Sequence, residues 1–429
     1  MLKCGGGYGN LFGMKNFYLL ALVAIASALG GCGIIKEASL DKAEQNLLAF
    51  GQDLKFFSQY KSDVLILGEG DSLVAVSPKY QGRILTSTFG GVEGPSLGWI
   101  NHELLADNKI GLQTYQVGGE DRFWVGPQGG DYSIFFPQGA SFSSENWRAP
   151  AGFSLDPWKL VASSKTQAKF EKNADFENAK GQRFVVRAER EITVLNRSQV
   201  SEILGIEIPS TVKLVGFQSF NKLTNLGKSK WTINSGLLNI SVQSCFNANK
   251  KVRVFIPYRA GEVSQLGEIV REDFMDESAT GDGRMLIDPS YISFNADGRK
   301  MAGFGVSAKR SEGIVVSYDA KNQVLTVILY IKPADSTRAY LRNSWRGNTA
   351  RFNGDAISVY NNGPLAKTSV VADPFYEIST HSPALSLDAG KSQFHIQRTF
   401  HFGGSEYDLG LISYKLTGIA IGQLRGDDK

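Results

Sequence analysis

The sequence predicts an all-β protein, one large antiparallel sandwich preceded by a short N-terminal helix. Short apolar stretches alternate with Gly, Pro, Asn and Asp punctuation along most of the 429 residues. Glycine is plentiful at 47 residues and aromatics reach 11%, the balance of a chain rich in strands and turns. No helix-forming stretch dominates, and no fixed-period repeat, proline-rich linker or low-complexity run divides the chain. Length alone suggests two domains, yet large all-β folds reach this size as one unit.

The N-terminal segment reads as a bacterial lipoprotein signal over residues 1–31. Lys15 supplies the positive region, residues 17–29 carry no charge, and Leu29-Gly30-Gly31-Cys32 forms the cleavage box. The apolar run is too short to span a bilayer as a helix. A Cys that merely follows an ordinary signal peptide is the alternative reading. Met14 precedes Lys15, so residues 1–13 read as a mis-called start that would remove Cys4. Acyl chains contribute about 0.8 kcal/mol per buried methylene, so lipid on Cys32 would hold the protein on a membrane. No acidic run follows Cys32, which points to the outer membrane, facing the periplasm. Loss of Lys3 and Lys15 brings the net charge of +4 nearer neutrality, no electrostatic footprint for nucleic acid. An acylated Cys32 leaves Cys245 without a disulfide partner, so the fold must rest on its own core.

Residues 32–63 then comprise anchor, tether and helix. Leu47, Leu48, Phe50, Leu54, Phe57 and Tyr60 recur at helical spacing, predicting a helix over 41–60 capped by Ser39 or Asp41. The sandwich is expected over 64–429. Residues 64–67 form a strand closed by Gly68-Glu69-Gly70, and 73–76 a second strand before Pro78. Over 184–195, Phe184, Val186, Ala188, Ile192 and Val194 share one face, with Arg187, Glu189 and Glu191 on the other. Residues 314–318 and 324–331 flank Asp319-Ala320-Lys321-Asn322, a hairpin signal. The last predicted strand, 394–402, places His395 and His401 on its polar face. Six residues at about 3.3 Å each hold these two roughly 20 Å apart, too far to ligate one ion.

No Cys/His cluster has metal spacing, and no nucleophile elbow or phosphate-binding loop is present, so no metal or cofactor is expected. Two segments stand apart from ordinary scaffold: residues 80–88 continuing to Gly98-Trp99-Ile100-Asn101-His102-Glu103, and Gly118-Gly119-Glu120-Asp121-Arg122-Phe123-Trp124. Each concentrates Arg, carboxylate, Trp and Gly. Sugars suit such a mixture, because their apolar faces stack on indole rings and their hydroxyls bond planar partners. The same residues also fit structural ion pairs of Arg83 and Glu120, with tryptophans filling the core.

Gln81-Gly82-Arg83, Gly119-Glu120-Asp121-Arg122-Phe123-Trp124 and Phe375-Tyr376-Glu377-Ile378-Ser379-Thr380-His381-Ser382-Pro383 together resemble the galactose mutarotase-like superfamily, in its uncharacterised secreted and lipoprotein branches. The resemblance implies a β-supersandwich that binds or processes carbohydrate. It implies Glu377 as catalytic base. The family's mid-chain histidine has no counterpart, since no histidine lies between His102 and His381; either of these is then the candidate acid. Arg83, Asn101, Glu120, Arg122 and Trp124 are the expected ligand-binding residues, and Arg83, Glu120, Arg122 and Trp124 are expected to converge with Glu377 on one concave face. A polysaccharide lyase or glycosidase on the same fold, or a non-catalytic subunit of a glycan-uptake system, are the alternative functions.

Overall fold

A computed structural model describes residues 46–60, 63–107, 110–111, 116–272, 281, 283–334, 338–342, 351–363 and 374–425. The signal and tether, with Cys32, Ser39 and Asp41, lie outside the described residues. Among those described, no helix is long and apolar enough to cross a membrane.

The N-terminal helix runs Phe50–Gln59, shorter than the 41–60 expected. Ala49 is drawn into an extended bridge with Pro95, and the Phe50 amide bonds the Gly94 carbonyl at 2.8 Å, so the helix starts only there. Gln52 turns back to accept from the Ala49 amide at 2.9 Å, satisfying a donor the first turn leaves open. Phe50 and Phe57 are buried as the spacing predicts, whereas Leu48 and Tyr60 are exposed.

The strands follow in chain order. A small sheet holds β1 (Leu65–Glu69), β2 (Ser72–Ser77) and β3 (Arg83–Thr88). Then come β4 (Arg122–Gly126), β5 (Lys159–Ser163), β6 (Gln167–Glu177), β7 (Arg183–Leu195), β8 (Lys213–Asn225) and β9 (Asn239–Asn247). Next are β10 (Val252–Pro257), β11 (Met285–Ile287), β12 (Tyr291–Asn295), β13 (Ala302–Ser307), β14 (Ile314–Asp319) and β15 (Val324–Tyr330). The last are β16 (Asp355–Asn361), β17 (Phe375–His381) and β18 (Ser392–Gly403). A ten-stranded sheet has the order β11-β12-β10-β14-β15-β18-β8-β7-β6-β5, and a five-stranded sheet the order β13-β16-β17-β9-β4. The pairings within these sheets are antiparallel, as expected.

The two large sheets face each other across the core. Ile240, Phe123 and Val125 of the smaller sheet pack with Phe170, Phe184, Val186, Ala188 and Phe217 of the larger. Farther along, Phe246, Tyr376 and Ile378 meet Val254, Ile256, Phe294 and Ile328. Each such Val, Ile or Phe side chain contributes about 1.5–3 kcal/mol on full burial. Along β7, Phe184, Val186, Ala188, Ile192 and Val194 point inward as predicted, but Arg190 completes their row at 1% exposure. Its guanidinium pairs with Asp121, both side chains fully buried, and donates to Asn221 Oδ1 at 3.0 Å. Burial disfavours both charges, raising the Asp121 carboxyl and lowering Arg190, while each charge holds the other.

Asp121 stands where the three sheets meet. Its carbonyl accepts from the Ile84 amide of β3 at 3.1 Å, and its carboxylate accepts from Ser219 of β8 at 2.8 Å, one residue before β4 begins. Glycine makes this crossing possible. Gly118 and Gly119 have φ of +89° and +107°, and a Cβ would lie 2.1 Å from the Trp99 carbonyl oxygen and 2.8 Å from that of Ile84.

β18 departs from its predicted facing. His395 and His401 point into the core at 4% and 1% exposure instead of lying on a solvated face. Outward-facing Phe400 and Phe402 are instead covered by the helix Glu406–Thr417 through Leu409 and Ile412, an element the sequence reading did not anticipate. Ser405 caps that helix, accepting from the Asp408 amide at 3.1 Å, and Gly418 ends it at φ +75°.

Removing one partner of a buried pair strands the other charge, so Arg190→Met is expected to cost about 3–5 kcal/mol. Arg183→Met, which breaks the exposed pair with Asp175, is expected to leave the urea midpoint unchanged. Equilibrium urea denaturation of the two variants beside the wild type checks both expectations.

Candidate functional site

Strand parity separates two kinds of polar residue on the five-stranded sheet. Inward Thr380 and Ser244 meet the larger sheet: Thr380 donates to Gln397 Oε1 at 2.8 Å, and Gln397 donates to Ser244 at 2.9 Å. The outward face carries Glu377, Ser379 and His381 of β17, Ser241, Gln243 and Cys245 of β9, Ser358 and Tyr360 of β16, and Arg122 and Trp124 of β4. Register sets them in rows. Tyr360, Glu377 and Cys245 lie side by side; Ser358, Ser379, Gln243 and Arg122 form the next row; His381, Ser241 and Trp124 form the third.

Glu377 is the centre of this face and is only partly buried. Ser379 donates to its Oε1 at 2.7 Å and Gln243 at 3.3 Å, while the Cys245 thiol points to Oε2 at 3.7 Å. Gln243 in turn accepts from Arg122 at 3.4 Å. Burial raises the Glu377 carboxyl above its ordinary range, against the Ser379 bond and the Arg122 charge. Burial, reinforced by Glu377, also pushes the Cys245 thiol up, so it stays protonated and inert. Beside this row, Trp99 stacks on Phe375 at 4.0 Å, with Cys245 and Tyr360 against them.

Of the residues expected from sequence, Glu377, His381, Arg122 and Trp124 therefore share one face. Two of them are already committed. Trp124 is 1% exposed, with the Arg122 guanidinium 3.6 Å over its ring and Phe135 at 5.3 Å, so its faces are not open to a sugar. His381 is bonded at both nitrogens, to Ser241 at 2.7 Å and Ser358 at 2.9 Å, and burial lowers it to about 4. Held neutral in this way, His381 carries no acidic imidazolium proton at pH 7, which speaks against the expected role as acid.

The other four lie elsewhere. His102 bonds Asp53 at 2.6 Å and packs edge-on against Phe56, which docks the N-terminal helix. Asn101 caps the helix His102–Ala106, accepting from the Leu104 amide at 3.0 Å. Glu120 is fully buried; it accepts from the Ser87 hydroxyl at 2.8 Å and bonds His401 at 3.0 Å, clamping the small sheet to the large one. Arg83 donates to the Gly118 carbonyl at 2.7 Å and to Gln81 at 3.1 Å, and burial lowers its pKa strongly. These are structural ties, so of the five residues expected to converge, Glu377, Arg122 and Trp124 share a face whereas Arg83 and Glu120 lie elsewhere.

Trp99 and Ser379 lay inside segments that stood out from sequence, whereas Ser358, Tyr360 and Gln243 were not expected as site residues. Their signal is polar residues at period two in strands that are otherwise apolar, as in Ser241, Gln243 and Cys245. Among the described outward residues of β4, β9 and β17, Glu377 is the one carboxylate; Asp355, past the irregularity at the start of β16, is held by Arg271 at 2.9 Å. A separate open depression of about 480 Å³, lined by Pro157, Lys159, Glu171, Lys172, Asn173 and Arg187, lies on the larger sheet. Its lysines are held by surface carboxylates, Lys159 by Glu171 and Lys172 by Asp156.

The buried histidines make stability depend on pH. Burial lowers His381 to about 4 and His395 to about 3, from 6.5. The unfolded chain therefore binds protons that the folded one refuses, and this stability is lost as pH falls from 6.5 through those values. Each histidine is expected to contribute a slope of about 1.4 kcal/mol per pH unit in that window. Glu377, raised on folding, acts in the opposite sense: its contribution is present at low pH and lost as pH rises through its folded value. Urea midpoints between pH 7 and 4 should fall for the wild type and fall less steeply for His395→Gln.

The model of DUF6786, a family of unknown function, matches residues 48–426. No curated protein sequence matches the chain. Solved structures of similar fold include the Slr1438 protein from Synechocystis sp., 10% identical with a TM-score of 0.48 over 80% of this chain and 96% of that one. A galactose mutarotase related enzyme from Lactobacillus acidophilus is 12% identical, with a TM-score of 0.44 over 80% of this chain and 99% of its own. A galactose mutarotase-like protein from Lactobacillus casei is 8% identical, with a TM-score of 0.44 over 79% of this chain and 100% of its own. Likeness at this level leaves activity to be read from the residues themselves.

Proposed function

Since this chain belongs to DUF6786, a family of unknown function, we propose its role from the site: it binds carbohydrate on the outer face of the five-stranded sheet. The observation that carries this reading is Glu377, a half-buried carboxyl with a raised pKa, set between Tyr360 and Cys245 and beside the Trp99–Phe375 stack. The partly exposed carboxyl of Glu377 and hydroxyls of Ser358 and Tyr360 suit sugar hydroxyls. A glycan array probed with the full chain in detergent tests the proposal. Glu377→Gln is expected to weaken binding of any hit tenfold or more, the loss of a charged hydrogen-bond acceptor, with an unchanged urea midpoint. Unchanged binding with lowered stability would make Glu377 a structural residue.

The raised carboxyl also favours a second reading, in which Glu377 acts as general base on the anomeric hydroxyl of the bound sugar. Anomer exchange followed by NMR should then be accelerated by the wild type and not by Glu377→Gln. Absence of exchange with intact binding leaves the binding role alone.

We further propose that the protein is a lipoprotein of the bacterial envelope, acylated at Cys32 and held at the outer membrane facing the periplasm. The motif Leu29-Gly30-Gly31-Cys32 supports this. Cys32→Ser is expected to move the protein from the detergent phase to the aqueous phase on Triton X-114 partitioning. A variant that partitions like the wild type would refute the anchor.

A further inference from the structure

We propose that Ser358 is a sugar-binding hydroxyl whose proton is aimed outward by a hydrogen-bond relay running Asn239, Ser241, His381, Ser358; this rests on the carbohydrate reading of the same face. The direction of the relay follows from donor and acceptor capacity. Asn239 Nδ2 can only donate, and it donates to Ser241 Oγ at 3.1 Å. With that bond accepted, Ser241 has its own proton to give to His381 Nδ1 at 2.7 Å, which in the proposed relay is the unprotonated nitrogen. A neutral imidazole carries one N–H, which therefore sits on Nε2 and donates to Ser358 Oγ at 2.9 Å. Burial keeps His381 neutral near pH 7, as this requires.

Ser358 has thus accepted a bond from within the protein and retains its own proton. Its side chain is half-buried, unlike the three groups behind it, which are 1%, 2% and 5% exposed. It stands opposite Ser379, whose hydroxyl is bonded to Glu377, and one row from Tyr360, which stands opposite Glu377. Diagonal neighbours across antiparallel strands lie about 7–8 Å apart. A donor and a carboxylate so spaced can engage two edges of one pyranose ring, Ser358 giving a proton to an oxygen and Glu377 accepting one from a hydroxyl. His381 is then a positioning residue: it fixes the polarity of Ser358 without touching the sugar.

Two measurements on the full chain test the proposal. The ¹⁵N shifts of His381 at pH 7 should report the Nε2–H tautomer. The Nδ1–H tautomer would overturn the proposal without reference to any ligand, because it reverses the relay and leaves Ser358 only lone pairs to present. Titration with the methyl glycosides of D-glucose, D-galactose and D-mannose, and with any glycan captured on the array, should show Ser358→Ala binding about fivefold to tenfold more weakly. Ser358→Thr, which keeps the hydroxyl, should restore affinity. Equal binding by wild type and Ser358→Ala would refute the role of Ser358 and leave the carbohydrate reading standing. No binding of any of these sugars by the wild type would refute the carbohydrate reading, and Ser358 with it.

Discussion

The buried Asp121–Arg190 pair is the interaction on which the rest of the architecture depends. A carboxylate and a guanidinium with no solvent contact stay charged only if each holds the other and their remaining polar atoms find partners. Asn221 and Ser219 on β8 supply those partners, and the Asp121 backbone is bridged to β3. The chain can enter β4 only through this point, because Gly118 and Gly119 leave no room for side chains. A hydrophobic pair could match or exceed its stability. Geometry is what the ion pair adds: it permits one register among three sheets, and a slip by one residue would turn Asp121 away from Arg190.

That register decides which polar residues are available for function. Inward groups are consumed in ties between sheets, and every histidine in the chain is committed. His102 is bonded to Asp53, His381 to two serines, His395 to Thr380 and His401 to Glu120 and Thr326. The chain therefore offers no free imidazole beside Glu377, consistent with the missing mid-chain histidine of the mutarotase-like pattern. What remains partly exposed on this face is the Glu377 carboxyl with the hydroxyls of Ser358 and Tyr360.

The sequence disclosed the all-β class, the hairpin of β14 and β15 and the alternation of β7, because period-two patterning is local. The gap in the β7 row at position 190 was itself a signal. An arginine in an apolar stripe demands a buried acid, and Asp121 in the conspicuous Gly-Gly-Glu-Asp-Arg segment was that acid. The carboxylates of that segment, Glu120 and Asp121, are taken up in ties between sheets. β18 read with its faces reversed, because the covering helix Glu406–Thr417 buries the face that would otherwise have met solvent. Glu377 was legible through its motif. Ser358 and Gln243 were not, since their proximity to Glu377 arises from pairing between β16, β17 and β9, which no local pattern encodes.

A crystal structure of the protein soaked with a sugar that binds it tests the central claim most directly: that sheet register leaves the outward face around Glu377 as the functional surface. The sugar should lie over the Tyr360–Glu377–Cys245 row, with a hydroxyl within hydrogen-bonding distance of the Glu377 carboxyl. A sugar seated instead in the depression between Lys159 and Arg187, with the Glu377 row untouched, would contradict it.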